Sequence, residues 1–165
     1  MKRNLINLIL IVLTLLIFSC ALKQVSKSTP RYNTLETDLY YLSITPLSTY
    51  DRHCGFRLIV KNKTPNKLLV DWNNAFYTED GVRKGGFMHD GMDFESRYDP
   101  MAQATVRGWD IYIKTIWPSV LAHGKRDQWT QMPMEPGRHG VEITLAVNGQ
   151  VFHETLDVEI SVESR

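Results

Sequence analysis

"VEITLAVNGQVFHETLDVEISV", residues 141–162, decides the fold. Val141, Ile143, Leu145 and Val147 fall on one face of an extended chain, with Glu142, Thr144 and Asn148 on the other. After Gly149 the alternation resumes, Phe152, Leu156, Val158, Ile160 and Val162 against His153, Thr155, Asp157 and Glu159, with Ala146 and Glu154 as the departures. A period of two residues is the mark of a strand with one face buried. Asn148-Gly149 between the two runs tolerates positive φ at both turn positions, so the segment predicts a tight β-hairpin.

Working outward, the same short alternating runs recur. Leu42 and Ile44 mark one strand, and Phe56, Leu58 and Val60 a second that ends at the turn "NKTPN". Leu68, Val70 and Trp72 mark a third, "AFYTE" (75–79) a fourth turning at Asp80-Gly81, and "WDIYIKTIW" (109–117) another. About seven strands separated by turn residues predict an all-β, antiparallel sandwich. A chain of 165 residues, 43% hydrophobic and 22% charged, suits one globular core. The net charge is +1 and the 19 basic residues form no cluster, which argues against a nucleic-acid partner.

The strand–turn–strand unit "FRLIVKNKTPNKLLVDW" and the terminal hairpin following "EPG" (135–137) resemble an immunoglobulin-like or fibronectin-III-like sandwich. "VDWNNAFYTEDG" leading to "GGFM" is similar to small Ig-like lipoproteins of Gram-negative bacteria. The resemblance implies a fold and leaves function open.

The N-terminus has a different character. Lys2 and Arg3 precede an apolar run, residues 5–18, broken only by Asn7 and Thr14. As a helix it would span roughly 21 Å, short of a hydrocarbon core of about 30 Å, and it is laid out as an export signal. Ile17-Phe18-Ser19-Cys20 resembles the lipobox of bacterial lipoprotein precursors. The resemblance implies a signal peptide over 1–19 and cleavage before Cys20. Cys20 would then carry a diacylglyceryl thioether and an N-acyl chain of the palmitate kind, anchoring the protein to a membrane. Ala21 in place of an aspartate leans the resemblance towards the outer membrane. Cleavage removes two basic residues, leaving 17 − 18 = −1. Residues 21–37, rich in Ser and Thr with Pro30, read as a flexible tether with a reach of roughly 20 to 25 Å. The sandwich domain is then 38–165. Cys54, the second cysteine, has no free partner and reads as a buried thiol.

Residues 80–108 hold the longest stretch without clear alternation. "VRKGGFM" (82–88) reads as the return strand of a hairpin, and 89–108 as a binding loop or the cover of an open sheet edge. Met88, His89 and Met92 offer soft ligands for copper, and His89, Asp90 and Asp93 harder ones. Core filling and a hydrated acidic loop explain the same residues without a metal, and no metal or cofactor is assigned. Trp129, in "GKRDQWTQMPMEPG", sits between charges and prolines, where an exposed aromatic would mark a contact site, while Trp72, Trp109 and Trp117 read as sandwich core. The five histidines are scattered and no nucleophile–base motif occurs, so catalysis is not expected. The reading is a lipid-anchored, non-catalytic module of the cell envelope with a protein or glycan partner. Its competitors are a soft-metal or glycan-binding lipoprotein and an envelope hydrolase. A hydrolase predicts a pocket joining His to Asp or Glu, a copper carrier converging Met and His, and an interaction module an apolar patch on a loop or sheet edge.

Overall fold

The computed structural model describes residues 24–125 and 128–164. The segment 1–19 and Cys20 lie outside the described residues. Along the chain, β1 (Gln24–Thr29) and β2 (Asn33–Glu36) precede β3 (Tyr40–Thr49), β4 (Arg52–Asn62) and β5 (Leu68–Glu79). Then come β6 (Val82–Gly85), β7 (Phe87–His89), β8 (Ala104–Val106) and β9 (Ile111–Pro118). A small hairpin, β10 (Ala122–Lys125) with β11 (Gln128–Gln131), leads to the terminal pair β12 (Gly137–Val147) and β13 (Gln150–Ser164).

One sheet has the order β1-β13-β12-β5-β6, with β8 also on β5, and the other β2-β3-β4-β9-β7; every pairing is antiparallel. The strands β3-β4-β9-β7 stand in the A-B-E-D order of an immunoglobulin sandwich, and β6-β5-β12-β13 in its C′-C-F-G order. The chain is therefore an immunoglobulin-like antiparallel sandwich. Leu42, Ile44, Phe56, Leu58 and Val60 face Val70, Val141, Ile143, Leu145 and Leu156 across the core, each 1% exposed or less. Burying each contributes roughly 1.5–3 kcal/mol. Asn148 and Gly149 have φ of 54° and 76°, and Asp80 and Gly81 of 51° and 77°, so both tight turns take the conformation their residues predict.

The structure corrects the sequence reading in four places. Residues 24–29 and 33–36 are strands, not tether. β1 pairs with the end of β13 from Gln24↔Ser164 to Thr29↔Glu159, and β2 pairs with β3. The expected third and fourth strands are one, β5, because Asp71 holds an irregularity in its middle. The carboxylate accepts from the Asn73 backbone N–H (3.1 Å) and from Asn74 Nδ2 (2.9 Å), and the β12 register shifts opposite it. The expected return strand divides: 82–85 pairs with β5, while 87–89 crosses to the other sheet and pairs with β9. Trp109 lies in a turn outside the core, and the strand after it begins at Ile111. The seven expected strands thus become six, and seven shorter ones, β1, β2, β6, β7, β8, β10 and β11, bring the described residues to thirteen.

Candidate functional site

Among the described residues, the edge of β9 combines missing strand cover with exposed apolar side chains. On one side this strand pairs with β4 from Lys61↔Ile111 to Phe56↔Ile116. On the other, β7 covers only Ile116 to Pro118, and among the described residues no strand pairs with the edge from 111 to 115. Ile111 is 51% exposed, Ile113 59%, and Trp109, just before the strand, 67%. Ile59, half-buried on β4, lies opposite Ile113 and extends the apolar surface inward.

Asn62, the last residue of β4 and fully buried, builds the turn that presents Trp109. Its Nδ2 donates to the carbonyls of Asn66 (2.6 Å), Arg107 (3.0 Å) and Val106 (3.2 Å). Its Oδ1 accepts from the backbone N–H (3.0 Å) and hydroxyl (2.9 Å) of Thr64. One amide thus ties the β4–β5 turn to the β8–β9 turn. The Trp109 N–H donates to the Thr64 carbonyl (3.0 Å) and the Asn62 N–H to that of Asp110 (3.0 Å). Within this frame Trp109 has φ 63°. A bulky residue in the left-handed region is strained by about 1–2 kcal/mol, and such strain persists only where the surroundings over-determine it. Sequence reasoning reads "NKTPN" as a turn and misses Asn62 as the tie to Trp109, because the two carbonyls that make the tie lie 44 and 45 residues away.

The loop after β7 forms a second feature. Met101 is clamped to β5 by two bonds, Asn73 Nδ2 to the Met101 carbonyl (2.9 Å) and the Met101 N–H to Asn73 Oδ1 (2.8 Å). Arg97 lies over the rings of Phe94 (3.9 Å) and Tyr98 (4.6 Å) and donates to the Phe94 carbonyl (2.8 Å). A groove of about 250 Å³ between this loop and β5 is lined by Trp72, Asn73, Phe76, Arg97, Tyr98 and Met101, and Tyr98 is 65% exposed at its rim.

Of the residues singled out from the sequence, the structure brings Met88 and Trp129 into one small apolar cluster and leaves Asp90 and Asp93 exposed. Met88 is buried with Phe94 and Ala122 in a small cluster beside the main core, packed as apolar filling. Trp129 is not in an exposed loop: β11 lays it half-buried on Phe94 (6.2 Å, stacked) and edge-on to Trp117 (6.4 Å). His89 is half-buried 6.1 Å from Trp72, with Nδ1 3.1 Å from the Asp90 carbonyl. Asp90 and Asp93 are exposed and Met92 half-buried. Among the described residues no group of three or more His, Cys, Asp and Glu side chains converges.

Buried polar groups elsewhere are mostly structural. His139 accepts at Nδ1 from the Tyr77 hydroxyl (2.6 Å) and donates from Nε2 to the Glu135 carbonyl (2.7 Å), so both nitrogens are engaged. Burial, with the charges of Glu79 and Asp80 adding, pushes the Tyr77 phenol far above its ordinary value. Tyr40 crosses the core to donate to Glu154, and burial followed by that carboxylate raises it likewise. Cys54 is buried, its sulfur 3.2 Å from Thr49 Oγ1. His53 is buried with Nδ1 2.8 Å from Ser48 Oγ, and burial lowers its pKa against a smaller opposing pull from the Leu47 carbonyl. Comparisons with protein-family models, curated proteins and solved structures find no match.

Proposed function

We propose that this chain is a membrane-anchored lipoprotein whose sandwich serves as a non-catalytic binding module, docking a protein partner along the open edge of β9. The observation that carries the docking is Trp109: a large apolar ring, two-thirds exposed, held on strained backbone by a buried asparagine and continued by exposed Ile111 and Ile113. An unpaired edge supplies main-chain donors and acceptors for an added strand, and alternate side chains supply the apolar contact. Such an edge left uncovered is an aggregation hazard, which favours a dedicated occupant.

The anchor rests on the segment ending at Cys20. Since β1 begins at Gln24, only three residues separate it from that cysteine, spanning at most about 14 Å when fully extended. A lipidated Cys20 would hold the sandwich against the bilayer surface rather than on a long tether. Mass spectrometry of the mature protein tests this reading: a chain beginning at acylated Cys20 is expected, and one beginning at unmodified Met1 overturns it.

For the docking edge, a photo-cross-linking residue is placed at position 113 in intact cells, with position 155 on the opposite sheet as control. A discrete adduct from 113 alone, lost in Trp109→Ala, is expected; no adduct, or equal adducts from both positions, defeats the reading. A second reading, glycan binding in the groove beside Tyr98, draws on its aromatic rim and the Arg97 and Asn73 polar groups. Retention on purified peptidoglycan that Tyr98→Ala abolishes and Trp109→Ala spares would favour it instead.

A further inference from the structure

A cavity of about 480 Å³ lies beneath β1, lined by residues 25–29, Arg31 and His53. β1 spans the gap between the sheets there. It pairs with β13 on one side, and the Ser26 N–H donates to the Asp51 carbonyl (2.7 Å) in the β3–β4 turn on the other. Two of the lining side chains are each 7% exposed and end in polar atoms without a hydrogen-bond partner: Ser26 Oγ and His53 Nε2. Buried polar atoms are nearly always satisfied, because leaving one bare forfeits its hydration without return. Two such atoms, on residues from different sheets that line one cavity, are left for a group entering it to satisfy.

The lining says what that group is. Ser26, Ser28 and Thr29 bring hydroxyls, and His53 a ring whose other nitrogen is already held by Ser48. In the tautomer in which the Ser48 hydroxyl donates to Nδ1, the imidazole carries its proton on Nε2 and has that hydrogen to give. Lys27 and Arg31 are the charged residues of the lining, and no carboxylate is among them. Lys27 is shared with Glu163 (2.5 Å), whereas Arg31 has no ion-pair partner among the described residues. Donors below and an uncommitted guanidinium at the rim match an oxyanion.

We propose that this cavity binds a phosphate group, with Ser26 and His53 as the buried donors and Arg31 as the cation that admits it. The phosphate of a lipid headgroup and that of a small soluble ester share this chemistry. The lipid source rests on the anchor reading above, because only there does a three-residue span bring β1 to the membrane surface; the phosphate site itself does not.

The test follows the His53 ring nitrogens by ¹⁵N NMR in the intact chain. Inorganic phosphate is titrated at constant ionic strength against chloride, followed by vesicles of phosphatidylglycerol and of phosphatidylcholine. A saturable shift of Nε2 with phosphate, absent with chloride and weakened on the order of tenfold in Arg31→Gln, is expected from the loss of one charge-assisted contact. Arg31 is exposed, so this variant folds independently of the outcome; Ser26→Ala, with the hydroxyl removed, is expected to weaken the shift as well. A cavity holding water alone gives no saturable shift, and a shift unchanged in Arg31→Gln places the anion elsewhere; either overturns the site. A response to vesicles of either phospholipid, since both carry the phosphodiester, identifies the lipid source, and a response to free phosphate alone the soluble one. If mass spectrometry finds no lipid on Cys20 while the phosphate shift persists, the anchor fails and the site stands.

Discussion

The outer edges of the two sheets are treated in opposite ways. In one sheet the end of β13 is covered by β1 across six paired residues, a polar strand, "QVSKST", that carries a lysine and buries no large apolar side chain. In the other, β9 is covered by β7 across three residues at one end, and the uncovered stretch carries Ile111 and Ile113 beside Trp109. The first arrangement is the usual protection against edge-to-edge association. The second has a single lysine, Lys114, and among the described residues no strand over 111–115, where Ile111 and Ile113 are exposed. An apolar edge left open in this way is one that a partner outside the fold is expected to cover.

The contrast breaks most readily at the level of packing. Leu145→Ala, at the centre of β12 and fully buried, is expected to destabilise by about 2–5 kcal/mol, through lost burial and the cavity left behind. Ile113→Ala, the same kind of truncation on the open edge, is expected to change stability by about 0.5 kcal/mol or less. Urea unfolding of the two variants checks this. Comparable losses would mean that the β9 edge is already packed and not available for docking.

Asn62→Ala sharpens the comparison from the other direction. It leaves the carbonyls of Asn66, Val106 and Arg107 without their shared donor in a buried site, and a loss of about 2–3 kcal/mol is expected. The loss should be accompanied by a change in Trp109 fluorescence before global unfolding. A stability change without any change at Trp109 would separate the asparagine from the presentation of that ring.

The two edges also differ in how far the sequence reveals them. Strands β12 and β13 are legible because their apolar residues alternate and Asn148-Gly149 names its own turn; Asp80-Gly81 is legible for the same reason. Strand β1 is not, since Ser26 alone on it is buried and a buried serine leaves no hydrophobic period; its partner lies some 135 residues away in sequence. The apolar residues of β9 are legible as a strand, but their exposure is not: Ile111 and Ile113 read like core residues until Tyr112 between them is seen to pack on the core, which turns both isoleucines outward. Trp129 misleads in the reverse sense, because its polar neighbours suggest exposure while Phe94 and Trp117 come from distant segments to bury half of it. Local period and turn chemistry fix strands; which edge stays open depends on contacts between residues far apart in sequence.

A smaller effect concerns pH and acts on the closed edge. His53, under β1, has its folded pKa lowered below the ordinary 6.5, chiefly by burial. The unfolded chain therefore takes up a proton before the folded one does. Stability contributed by the neutral ring is present above about pH 6.5 and is lost as pH falls beneath it. Hydrogen exchange between pH 7 and pH 5 is expected to lose protection in β1 and the end of β13 more than in β4 or β9, and His53→Gln to flatten that difference. Uniform loss across both sheets would place the titration elsewhere.

A small expected change in stability, of opposite sign, is the most informative about the open edge. Trp109→Gly removes a side chain that is two-thirds in solvent and gives φ 63° to the residue that accepts it most readily. Relief of left-handed strain, about 1–2 kcal/mol, is partly offset by the greater freedom of glycine in the unfolded chain, about 0.5–1 kcal/mol. The variant is therefore expected to be as stable as the parent, or more stable by up to about 1 kcal/mol in urea unfolding, while the cross-link from position 113 disappears. A residue kept at the expense of stability and needed for contact is explained by its partner. If Trp109→Gly instead destabilises by more than about 1 kcal/mol, the ring is part of the packing around Asn62, and the open edge has to be argued from Ile111 and Ile113 alone.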